Sequence, residues 1–314
     1  MVLMRGLKLI AGSANKELSQ KISDYLNEPI VDTEISRFSD GEVSVQIKEN
    51  IRGSDVFLIC SLSRPVNENI MEMLVTMDAV KRSSANSLTV VLPYYAYARQ
   101  DRKVKSRMPI SAKLMADLLT VAGADRIVAM DLHAGQIQGF FDIPVDHLYA
   151  SPVIANYIRE LNKEDVVIVS PDAGGVERAR DLGKKLGSSL AIVDKRRPKP
   201  NVSEVLHIIG DVEGKTAVLV DDLIDTAGTI VNASIALAEK GAREIYACCT
   251  HPVLSGPALE RIENSPIQEL AVTDTLVWNA QKDCKKIKTL SVANLIGEAI
   301  RRIYNKESVS SLFD

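Results

Sequence analysis

The chain has 314 residues, room for two domains at about 150 residues each, and its 46% hydrophobic and 25% charged residues are ordinary globular proportions. With 38 basic against 41 acidic side chains the formal charge is −3, so there is no general basic field for nucleic acid, and a 4% aromatic fraction leaves few platforms for stacking bases. Cys60, Cys248, Cys249 and Cys284 show no CxxC or Cys/His ligand spacing, and three lie in apolar runs, which predicts buried, reduced thiols.

The N-terminus MVLMRGLKLIAGSAN is broken by Arg5 and Lys8 and lacks the continuous apolar core of a signal peptide. The longest stretch without a charged residue, Ser83 to Ala98, contains Pro93 and is too short for a membrane span. A cytoplasmic protein with no membrane partner is expected. Short β-branched runs then alternate with helical patterns to the end, the pattern of βαβ units and a mostly parallel sheet. Strands are predicted near Leu7–Ala11, Val43–Ile47, Asp55–Cys60, Ser87–Leu92 and Arg126–Met130, with helices near Asn15–Leu26, Asn67–Arg82 and Pro109–Val121, where Pro109 suits a first helical turn. Beyond a boundary near Tyr149–Pro152, strands are predicted near Val166–Ser170, Leu190–Val193, Ala217–Val220, Glu244–Cys249 and Glu269–Val272. Helices are predicted near Val176–Leu186, Thr229–Lys240 and Ser291–Tyr304.

The halves echo each other. VVLPYYAYARQD and VIVSPDAGGVERARD both run strand, proline, polar loop, while VAMDLHAGQ and VLVDDLIDTAG both run strand, acid, glycine loop. A duplicated nucleotide-type α/β fold follows. The most informative segment is AVLVDDLIDTAGTI, in which an apolar strand ends in two carboxylates and a polar loop leads into a helix. In open parallel sheets the carboxyl ends of strands bind ligands. The amides of Asp225, Thr226, Ala227, Gly228 and Thr229 can meet an anion at the helix N-terminus, and Asp221 and Asp222 are acceptors suited to vicinal ribose hydroxyls. Read in isolation, D-T-x-G-T is a helix cap; the adjacent carboxylates tip the balance.

Other segments add to this. SPDAGG offers a carboxylate, Asp172, and a close-wrapping turn over Ala173, Gly174 and Gly175. DLHAGQ places Asp131 and His133 two apart, hence on one side of an extended segment. DKRRPKPN joins four cations to two prolines, a pattern of an exposed, mobile basic loop. There is neither G-x-x-x-x-G-K-[ST] nor G-x-G-x-x-G, so a nucleotide would be held by other means.

Together with FSDGEVSVQI, YARQDRK and DLHAGQIQGFFDIPVD, these blocks resemble class I ribose-phosphate pyrophosphokinases (PRPP synthetases) over essentially the whole chain. The resemblance implies two phosphoribosyltransferase-like domains: 1–150, joined by a C-terminal tail 296–314 and carrying the ATP site, and 151–295, carrying the ribose 5-phosphate site. It implies ATP plus ribose 5-phosphate giving PRPP plus AMP with Mg²⁺, and a homo-oligomer, usually a hexamer. Adenine would be gripped by Phe38, Asp40 and Glu42 of a neighbouring subunit, and Arg99 and Gln100 would contact ATP. His133 and Asp172 would bind the metal with Asp131 in support, and Asp142 and Asp146 are lesser candidates. Lys195 and Arg197 would be the catalytic cations. Phosphate and ADP would act as effectors at Arg52, Ser83, Ser84, Arg107, Gln138, Ser308, Ser310 and Ser311. Two rivals share the ribose-phosphate loop. A base phosphoribosyltransferase would not need FSDGE, YARQD or a second domain, and a non-catalytic regulatory homologue would carry an insertion in the basic loop or lose the histidine.

Overall fold

The computed structural model describes residues 6–196, 205–278 and 284–313. The chain divides into two compact units: Met1–Tyr149 with Thr275–Val277 and Ser291–Asp314, and Ala150–Asp274 with Trp278–Leu290. No helix among the described residues is long and apolar enough to cross a membrane.

The first unit contains β1 (Leu7–Ala11), α1 (Lys16–Leu26), β2 (Thr33–Arg37), β3 (Val43–Ile47), β4 (Asp55–Ile59), α2 (Val66–Arg82), β5 (Ser87–Leu92), α3 (Ser111–Ala122), β6 (Arg126–Met130) and β7 (Val145–Leu148). Its sheet runs β1-β4-β5-β6-β7, all parallel, while β2 and β3 form a separate antiparallel hairpin. Strands such as DVFLI and SLTVVL are near-continuous apolar runs because both their faces are covered. Ile10, Leu58, Val90 and Ile127 stand in one row across the sheet, buried with Met73 and Met77 of α2 and Met115 and Leu119 of α3. The intervening residues Leu9, Phe57, Val91 and Val128, also buried, point to the other face.

The second unit contains α4 (Ser151–Glu160), β8 (Val166–Ser170), α5 (Val176–Leu186), β9 (Ser189–Arg196), β10 (Val205–Ile209), β11 (Thr216–Ile224), α6 (Gly228–Glu239), β12 (Glu244–Pro252), α7 (Ala258–Glu263), β13 (Glu269–Thr273) and β14 (Ile287–Leu290). The sheet order is β10-β9-β8-β11-β12-β13-β14, with only β10 antiparallel to its neighbour. Val169, Leu219, Ala247 and Leu270 form one row, buried with Ala233 and Leu237 of α6. On the other face Gly183 of α5 lies against Ile168. α8 (Ala293–Asn305) belongs to the first unit and packs on α1, where a Cβ on Gly297 would stand 2.5 Å from a ring carbon of Tyr25.

Three sequence expectations are corrected. β11 does not stop at Val220 but continues through both aspartates to Ile224, because β12 goes on pairing with it as far as Ile224↔Pro252. DKRRPKPN does not begin as a loop: Asp194, Lys195 and Arg196 are strand residues of β9 paired with β10, and its later residues lie outside the described ones. Pro109 sits before α3, which starts at Ser111.

Candidate active site

In the second unit the chain leaves β8 toward β9 on one side and leaves β11 toward β12 on the other. Their carboxyl ends therefore flank a topological switch point, where adjacent loops diverge and open a crevice. β8 pairs with β11 only over Thr216–Leu219, so beyond that point β11 pairs with β12 alone, with Asp221 opposite Cys249. The sheet of the first unit follows chain order throughout and has no such reversal.

Asp221 and Asp222 meet at this crevice. The Asp222 amide donates to Asp221 Oδ1 at 2.9 Å. Burial first, and then the adjacent Asp222 charge, push the Asp221 carboxyl up to about 8; Arg178 opposes this. Arg178, near the start of α5, donates from Nη1 to Asp222 Oδ1 at 3.1 Å and stands 3.9 Å from Asp221 Oδ1. The loop after β8 is wrapped around Asp172, whose Oδ1 accepts from the amides of Gly174 and Gly175 at 2.9 and 3.1 Å. Ser170 Oγ donates to the Asp172 carbonyl at 2.7 Å and approaches so closely that a Cβ on Gly175 would lie 2.9 Å from it. Glycine at 175 is thus required by space. Exposed Ala173 completes the turn.

The loop after β11 is similarly held. The Asp225 carboxylate accepts from Ser255 Oγ, and its carbonyl accepts from the Ser255 amide at 2.9 Å. Ala227 takes a left-handed conformation (φ 60°), turning the chain sharply into α6 at Gly228 and Thr229. Arg261 of α7 donates to the Thr226 carbonyl at 2.9 Å, which sets a guanidinium beside the helix N-terminus. Lys195 lies in β9 opposite Leu206 of β10; Arg197 lies outside the described residues.

The first unit carries the remaining expected residues. Phe38, Asp40 and Glu42 form the tip of the β2–β3 hairpin, with Phe38 59% exposed. The tip is closed by the Phe38 amide on the Glu42 carbonyl (2.8 Å), the Glu42 amide on Asp40 Oδ1 (3.1 Å) and Gly41 at φ 96°. Gln100 caps α3: its side-chain oxygen accepts from Ser111 Oγ and its carbonyl accepts from the Ala112 amide at 3.2 Å, while Arg99 is exposed. The expectation of an extended segment with Asp131 and His133 on one side is corrected: the segment is a turn, with Asp131 buried at φ 37° and His133 exposed, because a left-handed residue breaks the two-residue alternation. Asp146 is ion-paired with Arg126 at 2.6 Å, and Asp142 is exposed.

Of the expected effector residues, Arg52, Ser83 and Ser84 are neighbours, since the Gly53 amide donates to the Ser84 carbonyl at 2.9 Å. Ser308, Ser310 and Ser311 are drawn together instead by Arg302, which donates to the Ser308 carbonyl at 3.0 Å and to Ser311 Oγ. No hydrogen bond among the described residues joins the two groups, or joins Arg107 or Gln138 to either.

Sequence reasoning missed Arg178, Arg261 and His147. The two arginines reach their partners across 44 and 35 residues, which no local spacing encodes.

Two family models match, for the N-terminal domain of ribose phosphate pyrophosphokinase over residues 7–123 and for the phosphoribosyl synthetase-associated domain over residues 179–314. A ribose-phosphate pyrophosphokinase of Clostridium tetani (strain Massachusetts / E88) is 57% identical over 313 residues, 99% of this chain and 98% of that one. That of Bacillus subtilis (strain 168) is 56% identical over 309 residues, 98% of each. The crystal structure of phosphoribosylpyrophosphate synthetase from Mycobacterium smegmatis matches with a TM-score of 0.91 and 42% identity, covering 96% of this chain and 100% of that one. Identity sustained over nearly the whole of both chains, together with two family models, leaves one assignment: the chain belongs to the ribose-phosphate pyrophosphokinase family.

Proposed function

We propose that the chain transfers the diphosphoryl group of ATP to the anomeric hydroxyl of ribose 5-phosphate, giving PRPP and AMP, and that the crevice between β8 and β11 holds the sugar. The observation that carries this is the diaspartate at the switch point beside a helix N-terminus. Asp221 and Asp222 accept from the ribose hydroxyls. The amides from Asp225 to Thr229 receive the 5-phosphate, with Arg261 adding positive charge nearby. The glycine turn at Asp172–Gly175 accommodates the diphosphate being transferred.

The ATP side rests on Phe38, Asp40, Glu42, Arg99 and Gln100. An exposed aromatic ring at a closed hairpin tip offers an apolar face for adenine, with carboxylates able to accept from its amine. Among the described residues no three His, Cys, Asp or Glu side chains form a metal cage. Mg²⁺ needs no such cage, since it keeps waters and takes much of its coordination from substrate phosphates; an Asp172 carboxylate oxygen is the hard donor it prefers, and the His133 nitrogen is not. Asp172 and His133, supported by Asp131, would hold it; when bound it neutralises charge on the phosphate chain. The anomeric oxygen bonds to the β-phosphorus as the bond from that phosphorus to the oxygen that stays with AMP breaks, and the proton of the anomeric hydroxyl is released to water. Lys195 and Arg197 offset charge on the transferred oxygens, and a loose transition state demands little proton removal. A homo-oligomer, with phosphate and ADP as effectors and Arg52, Ser83 and Ser84 in the effector site, completes the reading.

The decisive assay is AMP release from ATP that depends on ribose 5-phosphate, run alongside 2-deoxyribose 5-phosphate. A sugar lacking one hydroxyl leaves a buried acceptor unpaired and should be a poor substrate. Equal kcat/KM for the two sugars would overturn the diaspartate assignment, and no AMP release at all would overturn the activity.

A further inference from the structure

The turn that carries Asp131 and His133 is held to β7 by two consecutive backbone amides. The Asp131 amide donates to the Leu148 carbonyl at 2.9 Å, an ordinary backbone bond. The next donor, the Leu132 amide, finds a side chain: it donates to Nε2 of His147 at 2.9 Å. An amide can donate to imidazole only where the ring nitrogen carries no proton, so this bond assigns His147 the tautomer protonated on Nδ1. The ring is itself braced. Tyr149 lies against it with centroids 4.4 Å apart, and Phe313 packs edge-on against Tyr149 at 5.4 Å.

Such a clamp has a physical purpose, because Asp131 is a non-glycine residue at φ 37°. A backbone in that region persists only where its surroundings over-determine it. Both bonds of the clamp fall on the two residues immediately before His133, so they set where that side chain emerges from the turn. Asp131 and Leu132 are both buried, whereas His133 is exposed and ready to meet a ligand.

We propose that His147 is a positioning residue for the transfer reaction, fixing the Asp131–His133 turn by accepting the Leu132 amide while Tyr149 holds its ring. The inference rests on the reading that this turn serves the ATP side of the site. Loss of a group that orients a ligand-bearing residue from behind typically costs ~10–100-fold.

The test compares His147→Leu, His147→Gln and His133→Ala in the full-length chain. His147→Leu should lower kcat/KM for ATP by ~10–100-fold, leave KM for ribose 5-phosphate within about twofold, and speed hydrogen exchange of the Leu132 amide in the enzyme without ligands. His147→Gln, whose amide oxygen can take the place of Nε2, should restore both exchange protection and activity. Unchanged Leu132 exchange and unchanged ATP kinetics in His147→Leu would overturn the proposal, as would equal losses toward both substrates, the mark of general loosening. Should the leucine variant not fold, His147→Gln decides alone: near-native ATP kinetics with a protected Leu132 amide support the clamp, and an unprotected amide refutes it. His133→Ala separates the two claims. If it leaves ATP kinetics untouched, the ATP reading of the turn fails, while accelerated Leu132 exchange in His147→Leu still establishes the clamp.

Discussion

A single carboxyl at the switch point gives the site a measurable pH signature. Asp221 is held protonated up to about 8 in the fold, against an ordinary value of 3.8. Between those limits the folded chain binds a proton that the unfolded chain has released. Its contribution to stability is therefore fully present below pH 4 and is lost as pH rises toward 8. Asp221→Asn removes that decline. Without ligands, its Tm should match the parent near pH 4 and exceed it by a few degrees at pH 8 and above. A Tm difference that does not grow with pH would show that burial and the adjacent Asp222 charge do not raise the Asp221 carboxyl as described. Arg178 acts in the opposite sense: it favours the ionised diaspartate, so Arg178→Gln should raise KM for ribose 5-phosphate by about tenfold, with KM for ATP little changed. Steady-state titration of each substrate checks this. At this scale the sequence revealed the acceptors and concealed their counter-ion. Adjacent aspartates at the end of an apolar strand are a local pattern, whereas Arg178 becomes relevant only when α5 brings it back over β11.

The β9–β10 hairpin depends on one glycine. Gly210 ends the hairpin at φ 113°, and a Cβ there would lie 2.8 Å from the Leu190 carbonyl oxygen and 2.9 Å from the Ala191 Cα. Both are backbone atoms that cannot swing aside. Gly214, at φ 68°, has open space around it. Gly214→Ala should therefore cost about 1 kcal/mol for the conformation alone, and Gly210→Ala upward of ~2 kcal/mol. Since β9 carries Lys195, Gly210→Ala should also depress kcat more than Gly214→Ala does; denaturant melts and kcat for the pair would show equal effects if the clash is relieved without moving the hairpin. Element by element, the strands legible in sequence are mostly those buried on both faces, such as DVFLI and VVIVS, while VSVQI of the lone hairpin was legible from its alternation. TEISR, VDHL and IKTL escaped notice because they are short and polar at the edge of a sheet or in a lone hairpin. There, burial no longer imposes an apolar run.

Over the whole chain, the echo between halves has a structural counterpart. The strand with the proline loop lies beside the strand with the acid loop in both sheets, β5 by β6 and β8 by β11. Their surroundings differ, since only the second sheet reverses direction at that pair. Motif order was legible because it is carried by adjacent residues; strand order was not, because it depends on which way each crossover turns. Each unit has its own hydrophobic core, and the C-terminal helix completes the first. α8 joins α1 through Tyr25 Oη donating to Glu298 at 2.8 Å and through the ring-to-glycine approach at Gly297, while Arg301 and Arg302 of α8 itself hold the Glu298 carboxylate in ion pairs. Any Cβ at 297 must displace the Tyr25 ring, so Gly297→Ala should part α8 from α1 at a cost of ~1–3 kcal/mol. The consequence should stay within one unit. Peptide-resolved hydrogen exchange on the full chain should show faster exchange in α1, β1 and α8, and no change in β8, β11 or α6. Adding ribose 5-phosphate should do the converse, slowing exchange around β11 and the start of α6 without protecting α1. Uniform acceleration across both cores in Gly297→Ala would mean that the chain opens as a single cooperative body, and the C-terminal helix would then be a determinant of the sugar site as well.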